Sequence, residues 1–214
     1  MHRLPALLED KSHVIWDWNG TLLDDLDLCV EIGADVLERF GYPRVTRDTY
    51  LAQFRFPVVD YYKSVGVDLE RTSFEEMSHH FMTTYQARVQ HSKLFAGTRE
   101  MLAGLVASGI RCSVLSATHE PDLQVHLEHH GLTSLFTHVC GLGDRRARSK
   151  VERGRQLLAQ MQCAPAEVVM FGDTDHDAEV ATALGIDVIL LTGGHQSEER
   201  LAARGHRVFR RTAG

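Results

Sequence analysis

Short apolar runs alternate with segments of helical spacing along most of this chain, and the alternation predicts a parallel sheet. Residues 13–16, 110–115, 137–141, 168–171 and 187–191 are near-continuous apolar stretches of the kind buried on both faces, with a weaker sixth at 207–209. Between them, residues 99–107, 122–129, 150–161, 177–184 and 198–203 carry apolar positions at helical intervals. Gly109, Gly131, Gly185 and Gly205 follow four of these segments, as expected where a helix turns back through a left-handed residue. Strands alternating with helices in this way indicate βαβ units and a sheet covered on both faces.

One interval breaks the rhythm. About ninety residues separate the first two strands, far more than an ordinary crossover needs. The stretch 25–93 is helical in pattern and rich in aromatics: Phe40, Tyr50, Phe54, Phe56, Tyr61, Tyr62, Phe74, Phe81 and Tyr85. The pattern therefore predicts an α/β fold: a Rossmann-like parallel sheet flanked by helices, formed by residues 1–24 and 94–214, with an α-helical domain inserted at 25–93.

Composition narrows the partners. The chain has 214 residues, 43% of them apolar, enough for one core with an accessory unit. A formal net charge of −6 argues against nucleic acid or an anionic membrane, because both call for a basic face. No apolar run approaches the ~20 residues that span a bilayer, and Glu9 and Asp10 interrupt the N-terminal stretch before it resembles a signal peptide. The cysteines at 29, 112, 140 and 163 form no CxxC pair and are expected to be reduced, in a cytoplasmic protein. The thirteen histidines show no HExxH or similar ligand spacing and are expected to serve as surface or packing residues.

The candidate chemistry lies after the predicted strands, where open α/β sheets hold their ligands. The first strand runs into Asp17, followed by Trp18-Asn19-Gly20-Thr21, in which Gly20 permits a tight turn. The second is followed directly by Ser116, with Ala117 and Thr118 offering backbone amides to anionic oxygens. Lys150 opens a later helix behind Arg145, Arg146 and Arg148, a local concentration of positive charge. The fourth apolar run ends in Gly172-Asp173-Thr174-Asp175-His176-Asp177, three carboxylates at a strand-to-helix turn. Taken singly, each reads as a helix cap or a solvated loop. Their order is what a structural reading fails to explain: carboxylate, small hydroxyl, lysine, paired carboxylates.

In these residues the chain resembles the haloacid dehalogenase superfamily. Asp17-Trp18-Asn19-Gly20-Thr21-Leu22 looks like its first motif, and Ser116, Lys150 and Gly172-Asp173 with Asp177 look like the other three. The insertion after the first motif is similar to the helical cap of the phosphoglycolate phosphatase-like branch. The resemblance implies a phosphatase acting on a small phosphorylated metabolite, a cap that closes over the site, and Mg²⁺ as cofactor. Asp17, Asp173, Asp177 and the backbone carbonyl of Asn19 would supply oxygens to the cation. Asp17 would attack phosphorus, Lys150 would offset negative charge, and Ser116 with the amides of Ala117 and Thr118 would hold the phosphoryl oxygens. Arg55 is the cap residue expected to meet an anionic substrate.

The chain departs from the resemblance at Asn19, where the superfamily's phosphatases carry a second aspartate as general acid and base. An amide can neither deliver nor accept that proton. Slow hydrolysis is therefore expected, with His119 or His176 adjoining the motifs as stand-ins, or a preference for substrates with good leaving groups. Two alternatives stay open. A phosphonate hydrolase of the same superfamily would need a cap lysine, for which Lys63 is one candidate, and a non-catalytic phospho-ligand or partner-binding module would need no turnover.

Overall fold

The computed structural model of the chain describes residues 8–143, 149–203 and 205–211. The sheet strands are β1 (His13–Trp16), β4 (Arg111–His119), β5 (His138–Leu142), β6 (Val168–Gly172), β7 (Asp187–Leu191) and β8 (Arg207–Phe209). Their order is β5-β4-β1-β6-β7-β8, and every neighbouring pair is parallel. A two-residue antiparallel ribbon of β2 (Leu23–Asp24) and β3 (Lys93–Leu94) carries the chain into and out of the helical insertion. That insertion contains α1 (Leu26–Arg39), α2 (Arg47–Gln53), α3 (Val58–Ser64) and α4 (Phe74–Arg88). The sheet is covered by α5 (Thr98–Ala107), α6 (Glu120–His129), α7 (Lys150–Met161), α8 (Asp175–Leu184) and α9 (Glu198–Ala202).

The strand pattern explains which elements are central. β1 is buried at all four positions and β6 at all five, as expected of strands covered on both faces. Side chains alternate across the sheet. Val14 and Trp16 join the apolar cluster that continues through Leu22 and Leu26 into Tyr50, Tyr61, Met77 and Tyr85 of the insertion. Ile15 joins a separate cluster with Leu157 and Met161 of α7 and Val180 and Leu184 of α8. The aromatics of the insertion are thus largely core, and they share that core with one face of the sheet.

Among the expected boundaries that move, two bear on the candidate site. The second strand does not stop at Leu115; it continues to His119 with an irregularity in its pairing to β5, so Ser116 lies inside β4 and not after it. The helix expected from residue 177 begins at Asp175, because the Thr174 hydroxyl caps the Asp177 amide and draws the polar first turn into the helix. Gly109, Gly131, Gly185 and Gly205 all have positive φ, as expected. Among the described residues, no helix is long and apolar enough to cross a membrane.

Candidate active site

Strand order reverses around β1, so the carboxyl ends of β1, β4 and β6 open onto one crevice. The Asp17 amide donates to the Phe171 carbonyl at 2.9 Å, prolonging the β1–β6 ladder by one residue. Asp17 therefore shares the face of Ile15, the face covered by α7 and α8. Those helices begin with Lys150 and with the Asp175–Asp177 turn. Lys150 Nζ donates to Asp17 Oδ1 at 2.5 Å and to Asp177 Oδ1 at 2.6 Å, and all three side chains are buried. Asp177 Oδ2 accepts the Asp173 amide at 3.1 Å, the Thr174 amide at 3.0 Å and the Thr174 hydroxyl at 2.7 Å. Asp173 accepts the Thr21 hydroxyl at 3.0 Å and the His195 amide at 2.6 Å.

Three buried carboxyl groups here face one buried ammonium. Burial pushes the Asp17 carboxyl up to about 8, with Asp177 and Asp173 adding to the rise and Lys150 opposing it. Burial also raises Asp173. It acts against an ionised Asp177 as well, but Lys150 and the Thr174 bonds outweigh it and hold that carboxyl below its ordinary range. Burial disfavours the Lys150 ammonium too, yet Asp17 and Asp177 hold it above the usual lysine value. Oxygens of Asp17, Asp173 and Asp177 lie within 4.8 Å of one another. An all-oxygen donor set with excess negative charge fits a hard divalent cation such as Mg²⁺, and these three residues would hold it. Two glycines make room for Asp173. A Cβ on Gly20, whose φ is +67°, would fall 2.3 Å from Asp173 Oδ2, and one on Gly194 would fall 2.2 Å from the same atom.

The other expected residues are distributed unevenly. The β1–β4 register sets Trp16 beside Val114, so Ser116 reaches the same carboxyl edge as Asp17; it is buried, and its hydroxyl accepts the Thr118 amide at 3.1 Å. Ala117 and Thr118 are half-buried beside it. Arg55 lies beyond α2, its Nε donating to the Gln53 carbonyl at 3.0 Å, in a segment whose Phe56 packs on His176 with ring centroids 5.0 Å apart. The Nδ1 atoms of His119 and His176 lie 3.4 and 3.6 Å from acids three residues along, Asp122 and Glu179. Lys63 is exposed and paired with Asp60. Arg145, Arg146 and Arg148 lie outside the described residues.

A family model of haloacid dehalogenase-like hydrolases matches residues 14–191. The chain belongs to that family. Among curated proteins it is 30% identical over 189 residues to the tyrosine-protein kinase PtkA of Mycobacterium tuberculosis, a match covering 87% of this chain and 64% of that one. The chain thus spans less than two thirds of the length of that relative. It is 28% identical over 202 residues to the phosphoglycolate phosphatase of Synechococcus elongatus, covering 89% of this chain and 88% of that protein. The crystal structure of a predicted phosphatase from Clostridium acetobutylicum superposes with a TM-score of 0.79 at 19% identity, over 94% of both chains. The likeness to the Synechococcus protein sets it in the phosphoglycolate phosphatase-like branch, and the superposition shows the shared α/β fold.

In this haloacid dehalogenase-like hydrolase the Asn19 amide is engaged at both ends. Its Nδ2 donates to Asp25 Oδ2 at 2.8 Å and to the Tyr85 oxygen at 2.6 Å, and its Oδ1 accepts the Thr118 hydroxyl at 2.8 Å. Asp25 is 1% exposed and collects further donors: the Tyr85 hydroxyl at 2.7 Å, the Gly20 amide at 2.9 Å and His195 Nε2 at 3.2 Å. Burial would raise the Asp25 carboxyl, but the charge and bond of His195, with the bonds from Tyr85 and Asn19, hold it down at about 2. Burial likewise opposes the His195 cation, and Asp25 nevertheless brings it up to about 9. The other ring nitrogen of His195 meets the Tyr50 hydroxyl at 3.0 Å, while Gln196 and Arg200 bond both the Phe54 carbonyl and Asp175. Asp25, Cys29 and His195 also place ligand atoms within 4.8 Å of one another. There, however, the thiol donates to Asp25 at 3.6 Å and both carboxylate oxygens already accept from several donors, so the cluster is a closed ion pair.

Asp25, Tyr85, His195 and Gln196 are the site residues that sequence reasoning missed. The pair Gly193-Gly194, one residue beyond β7, marks a fifth strand-end turn, and it was the available pointer to His195 and Gln196. No pattern marks Asp25, which reads as an ordinary residue at the head of α1.

Proposed function

We propose that this hydrolase is a Mg²⁺-dependent phosphatase of small phosphate monoesters that works through a phosphoaspartyl intermediate on Asp17. The observation that carries the reading is the buried Asp17–Lys150–Asp177 chain with Asp173 beside it at the mouth of the sheet. A phosphate ester repels a carboxylate nucleophile, and a bound cation supplies the charge that offsets this repulsion. Asp17 attacks phosphorus, the ester P–O bond breaks as the Asp17–P bond forms, and water later frees Asp17 and releases phosphate. Lys150 holds the Asp17 carboxylate in place. Ser116 and the amides of Ala117 and Thr118 receive phosphoryl oxygens, and the insertion, residues 25–93, closes over them with Arg55 facing the anion.

Asn19 has no proton to give the leaving oxygen. Loss of a general acid–base costs about 10²–10⁴ in rate, so esters whose leaving groups are stable as anions gain relative to alkyl esters. The test is hydrolysis of p-nitrophenyl phosphate and phosphoglycolate with Mg²⁺, the latter being the substrate in the cyanobacterial relative's name. Asp17→Asn serves as control, and acid quench is used to trap phosphoenzyme. Expected are Mg²⁺-dependent turnover faster for the aryl ester and an acid-stable label lost in Asp17→Asn. Activity that survives Asp17→Asn overturns the assignment of the nucleophile.

A second reading is phosphoryl transfer to a protein tyrosine. Its support is the name of the 30% identical relative together with a position 19 that has no base to activate water. Labelled ATP and a tyrosine-containing peptide, with product separated from free phosphate, distinguish the two.

A further inference from the structure

The contacts around Asn19 form a closed set of donors and acceptors whose polarity can be inverted as a whole. Asn19 Nδ2 supplies two hydrogens, one to Asp25 Oδ2 and one to the Tyr85 oxygen, and the Tyr85 hydroxyl supplies the third, also to Asp25 Oδ2. Thr118 closes the far end on Asn19 Oδ1, and the Gly20 amide and His195 close the far end on Asp25 Oδ1. Apart from a long contact of the Cys29 thiol with Asp25 Oδ2 at 3.6 Å, everything around the triangle is satisfied by one amide, one carboxylate and one phenol.

We propose that amide and carboxylate are transposed in this chain: Asp25 is a positioning residue that demands an amide at position 19, and the acid absent beside the nucleophile is the one buried at position 25. The catalytic half of this inference rests on the phosphatase reading. The structural half rests on the contacts alone.

Asn19→Asp by itself sets two acceptors 2.8 Å apart with no hydrogen between them and leaves Tyr85 one hydrogen for two carboxylates. Asp25→Asn by itself sets two amides against each other. Turning the new amide so that its oxygen meets Asn19 points its NH₂ at the Gly20 amide, a donor facing a donor. The exchange of both, Asn19→Asp with Asp25→Asn, restores every bond of the triangle, while the Cys29 thiol, now 3.6 Å from an amide nitrogen, turns from donor to weak acceptor. The new amide at 25 donates to the carboxylate at 19 and to the Tyr85 oxygen, and Tyr85 donates to position 19. Thr118 donates to the second oxygen at 19, while Gly20 and His195 still find an oxygen at 25. Side-chain shape and net charge are unchanged, although the negative charge moves from the partner of His195 to the position beside it, and a carboxyl group now stands two residues from Asp17, where it can exchange a proton with the leaving oxygen.

Four proteins test this: wild type, each single variant and the exchange. Each is scored by melting temperature and by kcat and KM on p-nitrophenyl phosphate and ethyl phosphate with Mg²⁺. Each single variant is expected to melt on the order of 5–10 °C lower, since a buried polar pair is left unmatched. The exchange is expected to regain most of the melting temperature that the single variants lose, because additivity fails for groups in contact; the part not regained is the carboxylate charge facing His195. Its kcat on ethyl phosphate is expected to rise about 10²-fold, with a smaller gain on the aryl ester and little change in KM. That narrowing of the leaving-group ratio is a readout that packing alone does not move. Single variants as stable as wild type, or an exchange that loses the sum of both penalties, overturn the transposition. A restored melting temperature and an active wild type with an unchanged leaving-group ratio overturn the catalytic half. If the melting temperature returns but neither wild type nor the exchange hydrolyses either ester, the pairing is supported and the phosphatase reading falls.

Discussion

Replacing Lys150 by methionine separates the structural and cation-related parts of the site. The change keeps an unbranched apolar stem and removes an ammonium whose side chain is 4% exposed, bonded at 2.5 Å to Asp17 and 2.6 Å to Asp177. Breaking a buried ion pair by removing one partner costs about 3–5 kcal/mol. Because burial already pushes Asp17 up to about 8, it takes up a proton readily once the lysine is gone, which favours the lower end, about 3 kcal/mol. For a chain of this size that is a fall of about 6–12 °C in melting temperature, measured in EDTA. The same lysine occupies one oxygen on each of two candidate cation ligands, so its removal frees both and takes away a repelling charge. Lys150→Met is therefore expected to bind Mg²⁺ more tightly than wild type and to recover up to about 2.7 kcal/mol when Mg²⁺ reaches about a hundred times its dissociation constant. Melting curves of both proteins across a Mg²⁺ titration, with calorimetric binding, read this directly. A variant that melts with wild type in EDTA refutes the buried triad, and one indifferent to Mg²⁺ refutes the cation site.

Gly20→Ala forces a left-handed backbone on a residue with a Cβ and drives that Cβ against Asp173 and His195. It should lose at least about 1–2 kcal/mol in denaturant melts and lose more Mg²⁺ affinity than that stability loss accounts for; unchanged Mg²⁺ binding would count against Asp173 as a ligand. His13 is buried with Nε2 2.8 Å from the Ser113 hydroxyl, and burial, with Arg111 and His138, lowers it to about 4. Because the folded value lies below the unfolded 6.5, the neutral ring stabilises the fold fully above that pH. The contribution declines as pH falls from about 6.5 to about 4, by up to about 3 kcal/mol, and is level below. His13→Gln should flatten that limb in urea midpoints, and parallel profiles for the two proteins would contradict the assignment. Lys63 is exposed and paired with Asp60, so Lys63→Ala should leave turnover unchanged and borohydride should trap no adduct there with a carbonyl phosphonate; a trapped adduct would revive the phosphonate reading.

What the sequence determined by itself was the sheet and the residues attached directly to it. Strands buried on both faces must be continuous apolar runs, so β1 and β6 could be read from the run of apolar residues alone, and the residues following them, Asp17 and Asp173, inherit their position from the strand. Lys150 was legible for a similar reason, because it opens a helix whose apolar face is periodic. Tertiary structure alone decided what surrounds Asn19. Its partner Tyr85 is 66 residues away, and the His195 that holds Asp25 is 170 residues from it, so no local pattern joins them. The same burial that hides Asp25 from solvent makes its hydrogen bonds obligatory, and an obligation of that kind belongs to the folded interior and leaves no periodic trace in the chain.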